Sequence, residues 1–254
     1  MATTLERPRL RERVQRGVTE VSVVAVLYLL YSASRLLAST DFADARGRAL
    51  ALLDVEADLF LDVEAPLNRL FVVHDWLGVA GSYWYATTHY VVTIGLLVAL
   101  YVWSDGRAYL TARRTLAVST VLGLAFYLTV PTAPPRLVDG YTDVLAAHAT
   151  AGWWGADASA PQGLGHLTNE LAAFPSLHAG WALWVLLVAV TLEAPLWARI
   201  GAAVYTAVMA VVIVGTGNHW VLDVLAGWLV VLVAWWIVTA WERRGRSPDV
   251  KIAR

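Results

Sequence analysis

Apolar stretches close to the length that a helix needs to cross a bilayer recur from residue 18 to residue 241, with short polar breaks between them. They run from Val18 to Leu37, Tyr83 to Trp103, Leu110 to Val130, Ser176 to Glu193, Leu196 to Val214 and Trp220 to Ala240. About 20 residues span the hydrocarbon, and inside it only helices and closed barrels can satisfy their own backbone polar groups. The pattern predicts an all-α integral membrane protein, a bundle of six transmembrane helices. Composition agrees, because only 15% of the 254 residues are charged and 58% are hydrophobic, against about 25% charged in a soluble domain. The expected organisation is a basic segment at 1–17, a single membrane domain at 18–241 and a tail at 242–254.

Lysine and arginine accumulate in short cytoplasmic loops. The N-terminal arginines, then Arg107, Arg113, Arg114 and Arg199, then Arg243, Arg244, Arg246 and Lys251, all fall on one side of a six-helix arrangement. Both termini are therefore expected in the cytoplasm of a multi-pass plasma-membrane protein. The long apolar run after the N-terminal arginines has no small-residue cleavage pattern, so it is expected to be a retained first helix. A net charge of -1 argues against an electrostatic nucleic-acid binder, which needs a strong basic face. The absence of cysteine excludes disulfides, thiolate metal sites and cysteine nucleophiles.

Two of the loops expected outside the cell are long. In the first, Ala45, Ala49, Leu52, Leu53, Leu59 and Phe60 follow helical spacing, and Val63, Leu67, Leu70 and Phe71 continue after a break, so extracytoplasmic amphipathic helices are expected there. The second, Pro131 to Pro175, contains Trp153 and Trp154; it is either a surface loop anchored by interfacial aromatics or a lid that contacts substrate.

Three polar segments share that outer side: PTAPPRL at 131–137, FPSLHAG at 174–180 and GNHWVLDVLAG at 217–227. His219 and Asp223 are four apart at a helix start, so they share a face. A carboxylate on imidazole Nδ1–H leaves Nε2 free to attack as a nucleophile. Ser176 is placed to cap the helix that His178 opens, and a helix N-terminus binds anions. His178 would then stand beside a bound phosphate and protonate a departing alkoxide, and Arg136 offers a planar fork for phosphate oxygens. Ionisable groups near bilayer depth are costly and tend to be functional.

At these residues the chain resembles the type 2 phosphatidic acid phosphatase superfamily, whose motifs read KxxxxxxRP, PSGH and SRxxxxxHxxxD. Pro175 to His178 matches the second motif with Leu177 in place of glycine, and His219 and Asp223 match the end of the third. Ile213 stands where the third motif has arginine, and no lysine precedes Pro134-Pro135-Arg136 at the first motif's spacing. In those departures the chain looks more like the branch that includes fungal inositol phosphorylceramide synthase. The resemblance implies His219 as nucleophile, Asp223 as its orienter, His178 as acid and base, and Arg136 as a phosphate ligand; Ser176, at the helix start, is a further candidate for binding the substrate phosphate. It implies a phosphohistidine intermediate with no metal or other cofactor, a lipid phosphate or phosphodiester substrate, and water or an inositol-like alcohol as acceptor.

His89 and Asn218 are further candidates for lining the cleft, with a structural hydrogen bond the alternative for His89. Arg35 is expected either to pair with Glu56 or to reach for lipid headgroups. A transporter with a histidine proton relay is the rival class, but the polar groups gather at one face and no pair of broken helices marks the midplane.

Overall fold

The computed structural model describes residues 10–38, 40–154 and 169–245. These are mainly helical, and an isolated bridge between extended segments joins Thr132 to Ala172. In chain order the helices are α1 (Leu10–Leu37), α2 (Phe42–Asp58), α3 (Glu64–Val73), α4 (Asp75–Tyr83), α5 (His89–Trp103), α6 (Gly106–Thr129), α7 (Val144–Ala147), α8 (Leu177–Thr191), α9 (Leu196–Gly215) and α10 (Val221–Arg244). Short acceptor side chains start several of them. Asp41 caps α2 through Asp44 N–H, Asp105 caps α6 through Ala108 N–H, and Ser176 caps α8 through Ala179 N–H, each supplying one of the acceptors that a helix start lacks.

Four helical stretches are long and apolar enough to cross a membrane: Gly17–Leu37, Asp75–Trp103, Leu196–Gly215 and Val221–Arg244. Two of the six expected crossings do not meet that standard. Helix α6 is long but carries Arg107, Arg113 and Arg114 in its first half, and α8 is apolar but has only 15 residues. The second stretch also begins earlier than expected, at Asp75, because α4 and α5 are joined by a π-helical turn at Trp84–Thr88.

Helices α6, α8, α9 and α10 form the centre. Trp184 of α8 is fully buried and donates to Ala112 O of α6 at 2.9 Å, and Thr206 of α9 donates to Ala182 O of α8 at 2.9 Å. Such bonds matter in an apolar interior, where packing and polar pairing hold helices together. Helix α1 lies at the edge, tied to α6 where Tyr109 and Arg113 bond the two oxygens of Glu20.

Helices α2 to α4 close over one end of this bundle. Phe71 of α3 fits against Gly81 and Gly215, at both of which an added Cβ would collide with its ring. Helices thus occupy the segment where amphipathic ones are expected, but the apolar stripe is shorter than the sequence spacing suggests. Helix α2 stops at Asp58, Phe60 turns to φ 57°, and Leu59 and Phe60 are exposed. Trp154, expected in a surface or lid segment, is instead fully buried; it donates to Leu145 O at 3.0 Å and packs edge-on against Tyr83. Trp153 remains exposed. The part of that loop at 155–168 lies outside the described residues.

Candidate functional site

The three polar segments meet at the end of the bundle covered by α2 and α3. Backbone hydrogen bonds fasten them together: Arg136 N–H to Gly217 O at 2.8 Å, and Ser176 N–H to Asp223 O at 2.9 Å. The indole of Trp220 adds a bond to Ala133 O at 2.8 Å. Glycines allow the approach. A Cβ on Gly227 would lie 2.1 Å from Ser176 O, and one on Gly180 would lie 3.0 Å from Gly227 O. The first turns of α8 and α10 therefore touch backbone to backbone, and Gly217, at φ +76°, makes the sharp turn between α9 and α10 that presents Asn218 and His219.

His219 is nearly buried, and its Nδ1 lies 2.9 Å from Ala173 O and 3.4 Å from Asp223 Oδ2. Both neighbours are acceptors. A neutral ring must therefore carry its proton on Nδ1, which leaves the Nε2 lone pair available. The second orienting atom, a main-chain carbonyl, is invisible in a motif of side chains. Asp223 also receives Trp220 N–H at 2.8 Å, so one carboxylate oxygen serves both helix start and imidazole.

The ring of His178 is centred 5.6 Å from that of His219 and is partly exposed. It is held from the other side by two rings: Tyr85 stacks on it at 4.5 Å and His89 meets it edge-on at 4.3 Å. Tyr85 was not expected here. It sits in the π-helical turn, and insertions of that kind often mark functional sites because they re-aim side chains; Tyr85 four residues before His89 is the only sequence signal. His89 thus packs directly against His178.

Arg136 is largely buried; its Nη1 donates to Asn218 Oδ1 at 2.9 Å and its Nε lies 3.3 Å from Asp143 Oδ2. Asn218 in turn donates to Thr216 Oγ1 at 2.9 Å. These bonds lock the guanidinium beside the turn that carries His219. Ser176 is fully buried, with its hydroxyl accepting Ala179 N–H at 3.2 Å, so it is the cap that the sequence suggests. Ile213, where the motif has arginine, is fully buried, and its carbonyl receives the N–H of Asn218 and His219.

Two acids from the covering helices reach the same place. Glu56 of α2 and Glu64 of α3 are fully buried and accept Leu222 N–H at 2.5 Å and Val221 N–H at 2.9 Å. Burial, with the Glu64 carboxyl beside it, pushes Glu56 up to about 8. No sequence motif marks Glu64; its position at the start of an apolar helix is its signal. Glu56 spends one oxygen on α10. Among the described residues no group of three or more His, Asp or Glu side chains is arranged to hold a metal ion.

No curated protein and no solved structure gives a significant match. The family model of the PAP2 superfamily matches residues 50–237. The matched stretch begins within α2 and ends within α10, so it takes in α3, α4, all three polar segments and the residues of the site. Phosphatase-type chemistry on phosphate esters, in a membrane-embedded helical protein, is what that match supports. Over about three quarters of its length, this chain belongs to the PAP2 superfamily.

Proposed function

We propose that the protein is a membrane enzyme that takes a phosphoryl group from a lipid phosphate onto His219 and passes it to water or an alcohol. The observation that carries this is the pair of acceptors on His219 Nδ1, Ala173 O at 2.9 Å and Asp223 Oδ2 at 3.4 Å. They favour the nucleophilic tautomer and stabilise the positive charge that grows on the ring. Nε2 attacks phosphorus, the P–O bond to the lipid breaks, and protonated His178 gives its proton to the departing alkoxide. In the second half, His178 takes the proton of the incoming water or alcohol as its oxygen attacks, and the P–N bond breaks. Both groups return to their starting states.

Arg136 is the phosphate ligand in this scheme, with the start of α8 beside it. Ser176 acts indirectly by shaping that helix start, and Asn218 by holding Arg136. Positioning and charge stabilisation are the main demands of phosphoryl transfer. Charge bias favours six crossings, with the site on the extracytoplasmic side of the plasma membrane and both termini in the cytoplasm. The experiment is rapid quenching of the purified protein with a phosphorus-labelled lipid phosphate: label should appear as acid-labile, base-stable phosphohistidine, and His219→Ala should remove it. Turnover by His219→Ala would refute the mechanism.

The acceptor divides two versions. Departures from the phosphatase motifs at Ile213, Leu177 and the missing lysine favour transfer to an inositol-like alcohol, as in the branch that the sequence resembles. Ile213 is buried in the apolar core and brings no charge, so in this reading the chain grips its substrate with fewer charges than the full motif supplies. Incubation with and without polyols separates the versions, since hydrolysis yields free phosphate and transfer yields a new phosphodiester.

A further inference from the structure

Three successive backbone N–H groups open α10, and each is taken by a different carboxyl group. Trp220 donates to Asp223, Val221 to Glu64 and Leu222 to Glu56. All three acids are fully buried. The helix dipole favours negative charge at this end by only about 0.3–2 kcal/mol, well below the cost of burying three ionised groups without counter-charges. The other oxygens, Glu56 Oε2, Glu64 Oε2 and Asp223 Oδ1, receive no hydrogen bond from the described protein groups. Glu56 and Glu64 accept from the adjacent N–H groups of Leu222 and Val221, which brings their carboxyl groups side by side, and two carboxyl groups can bond each other only through a proton.

We propose that Glu56 and Glu64 are positioning residues that share one proton and, through Val221 and Leu222, fix the first turn of α10 that presents His219 and Asp223. The inference rests on the reaction proposed above. With the proton in place, each acid keeps one oxygen on the backbone and the pair carries a single negative charge. Without it, two adjacent carboxylates repel and the turn loosens, and a misplacement of about 1 Å can cost 10²-fold in rate. The titratable groups around Glu56 are Glu64 on α3, Asp223 on α10 and Tyr141 from the 131–154 segment. Burial, with Glu64, Glu56 and Asp62 nearby, pushes Tyr141 up to about 12, so it stays neutral while Glu56 titrates.

The test uses the full-length protein in phospholipid nanodiscs with phosphatidic acid as probe. Wild-type turnover should fall by about tenfold per pH unit above about pH 8. Glu56→Ala should lower kcat with KM unchanged. Glu56→Gln should rescue it and lose the alkaline fall, because its Oε1 still accepts Leu222 N–H and its amide replaces the shared proton. Independently of turnover, wild type at neutral pH should show the infrared C=O band of a buried carboxylic acid, and either Glu56→Gln or Glu64→Gln should remove it. Superimposable pH profiles for wild type and Glu56→Gln, or no such band in wild type, would overturn the proposal. A band that behaves as expected in a protein that forms no phosphohistidine overturns the reaction and leaves the proton pair standing.

Discussion

His219 Nδ1 lies closer to the carbonyl oxygen of Ala173, at 2.9 Å, than to Asp223 Oδ2, at 3.4 Å. The tautomer of the proposed nucleophile thus has two guardians, one of them part of the main chain. Asp223→Asn should lower kcat by about 10²-fold, less than the roughly 10⁴-fold loss seen where a carboxylate alone sets the tautomer of a catalytic histidine. Single-turnover phosphoenzyme formation measures this directly; a loss as large as that of His219→Ala would show that Ala173 O does not hold the ring.

The contact between α8 and α10 makes a second prediction. Gly227→Ala drives a methyl group to 2.1 Å from Ser176 O, a clash with backbone that no rotamer relieves. It should cost about 1–3 kcal/mol and abolish turnover. Gly47, exposed in the middle of α2 with nothing within 4 Å of an added Cβ, is the matched control: Gly47→Ala should be neutral or stabilising by up to about 1 kcal/mol. Thermal unfolding in detergent separates the two, and equal melting temperatures would contradict the packing account.

Arg136 should be sensitive to the shape of its cation as well as to its charge. Its Nη1 and Nε contact Asn218 and Asp143 together, which a lysine ammonium cannot reproduce. Arg136→Lys should reduce kcat/KM by about 10- to 100-fold, the equivalent of the ~1.5–3 kcal/mol of one charged hydrogen bond, mostly through KM. Asp143→Asn, which keeps an acceptor, should have a smaller effect.

The stability of the protein should also depend on pH through Glu56. Its carboxyl group holds its proton up to about 8 when folded, against an ordinary value of 4.5. The folded state therefore binds more protons than the unfolded state between those values. The contribution of this group to stability is full below 4.5 and is lost as pH rises through about 8. The melting temperature of wild type should fall across that window, and the difference between wild type and Glu56→Gln should change with pH. A difference that stays constant from about pH 5 to pH 9 would refute the raised value.

Much of this molecule can be read from its sequence because the bilayer makes polar residues expensive. His178, His219 and Asp223 stand out against apolar surroundings, and the structure gathers them with Arg136 as their spacing suggests. What escaped has physical reasons. Helix α4 was missed because Gly78 and Gly81 weaken its helical signal, and both are there to admit neighbours, His148 and Phe71. Tyr85 was missed because a π-helical turn changes the facing of residues that a 3.6-residue period would place elsewhere. Glu64 follows Asp58 and Asp62 closely in sequence, and burial and its bond to Val221 N–H set it apart from those exposed acids.

The Ala173 carbonyl has a consequence for how this site can be varied. It is not encoded by the identity of residue 173, so no replacement of that side chain deletes it. Small residues such as serine or glycine should leave the imidazole held, whereas a bulkier one should fail through crowding, because Ala173 is packed beside Ala133 and Trp220. A mutational scan of the site would record position 173 as a size filter and would never reveal that it contributes an atom to the nucleophile's orientation. Only a change in the chemistry of the chain itself, such as an ester in place of the amide that follows Ala173, would weaken that acceptor and expose its part.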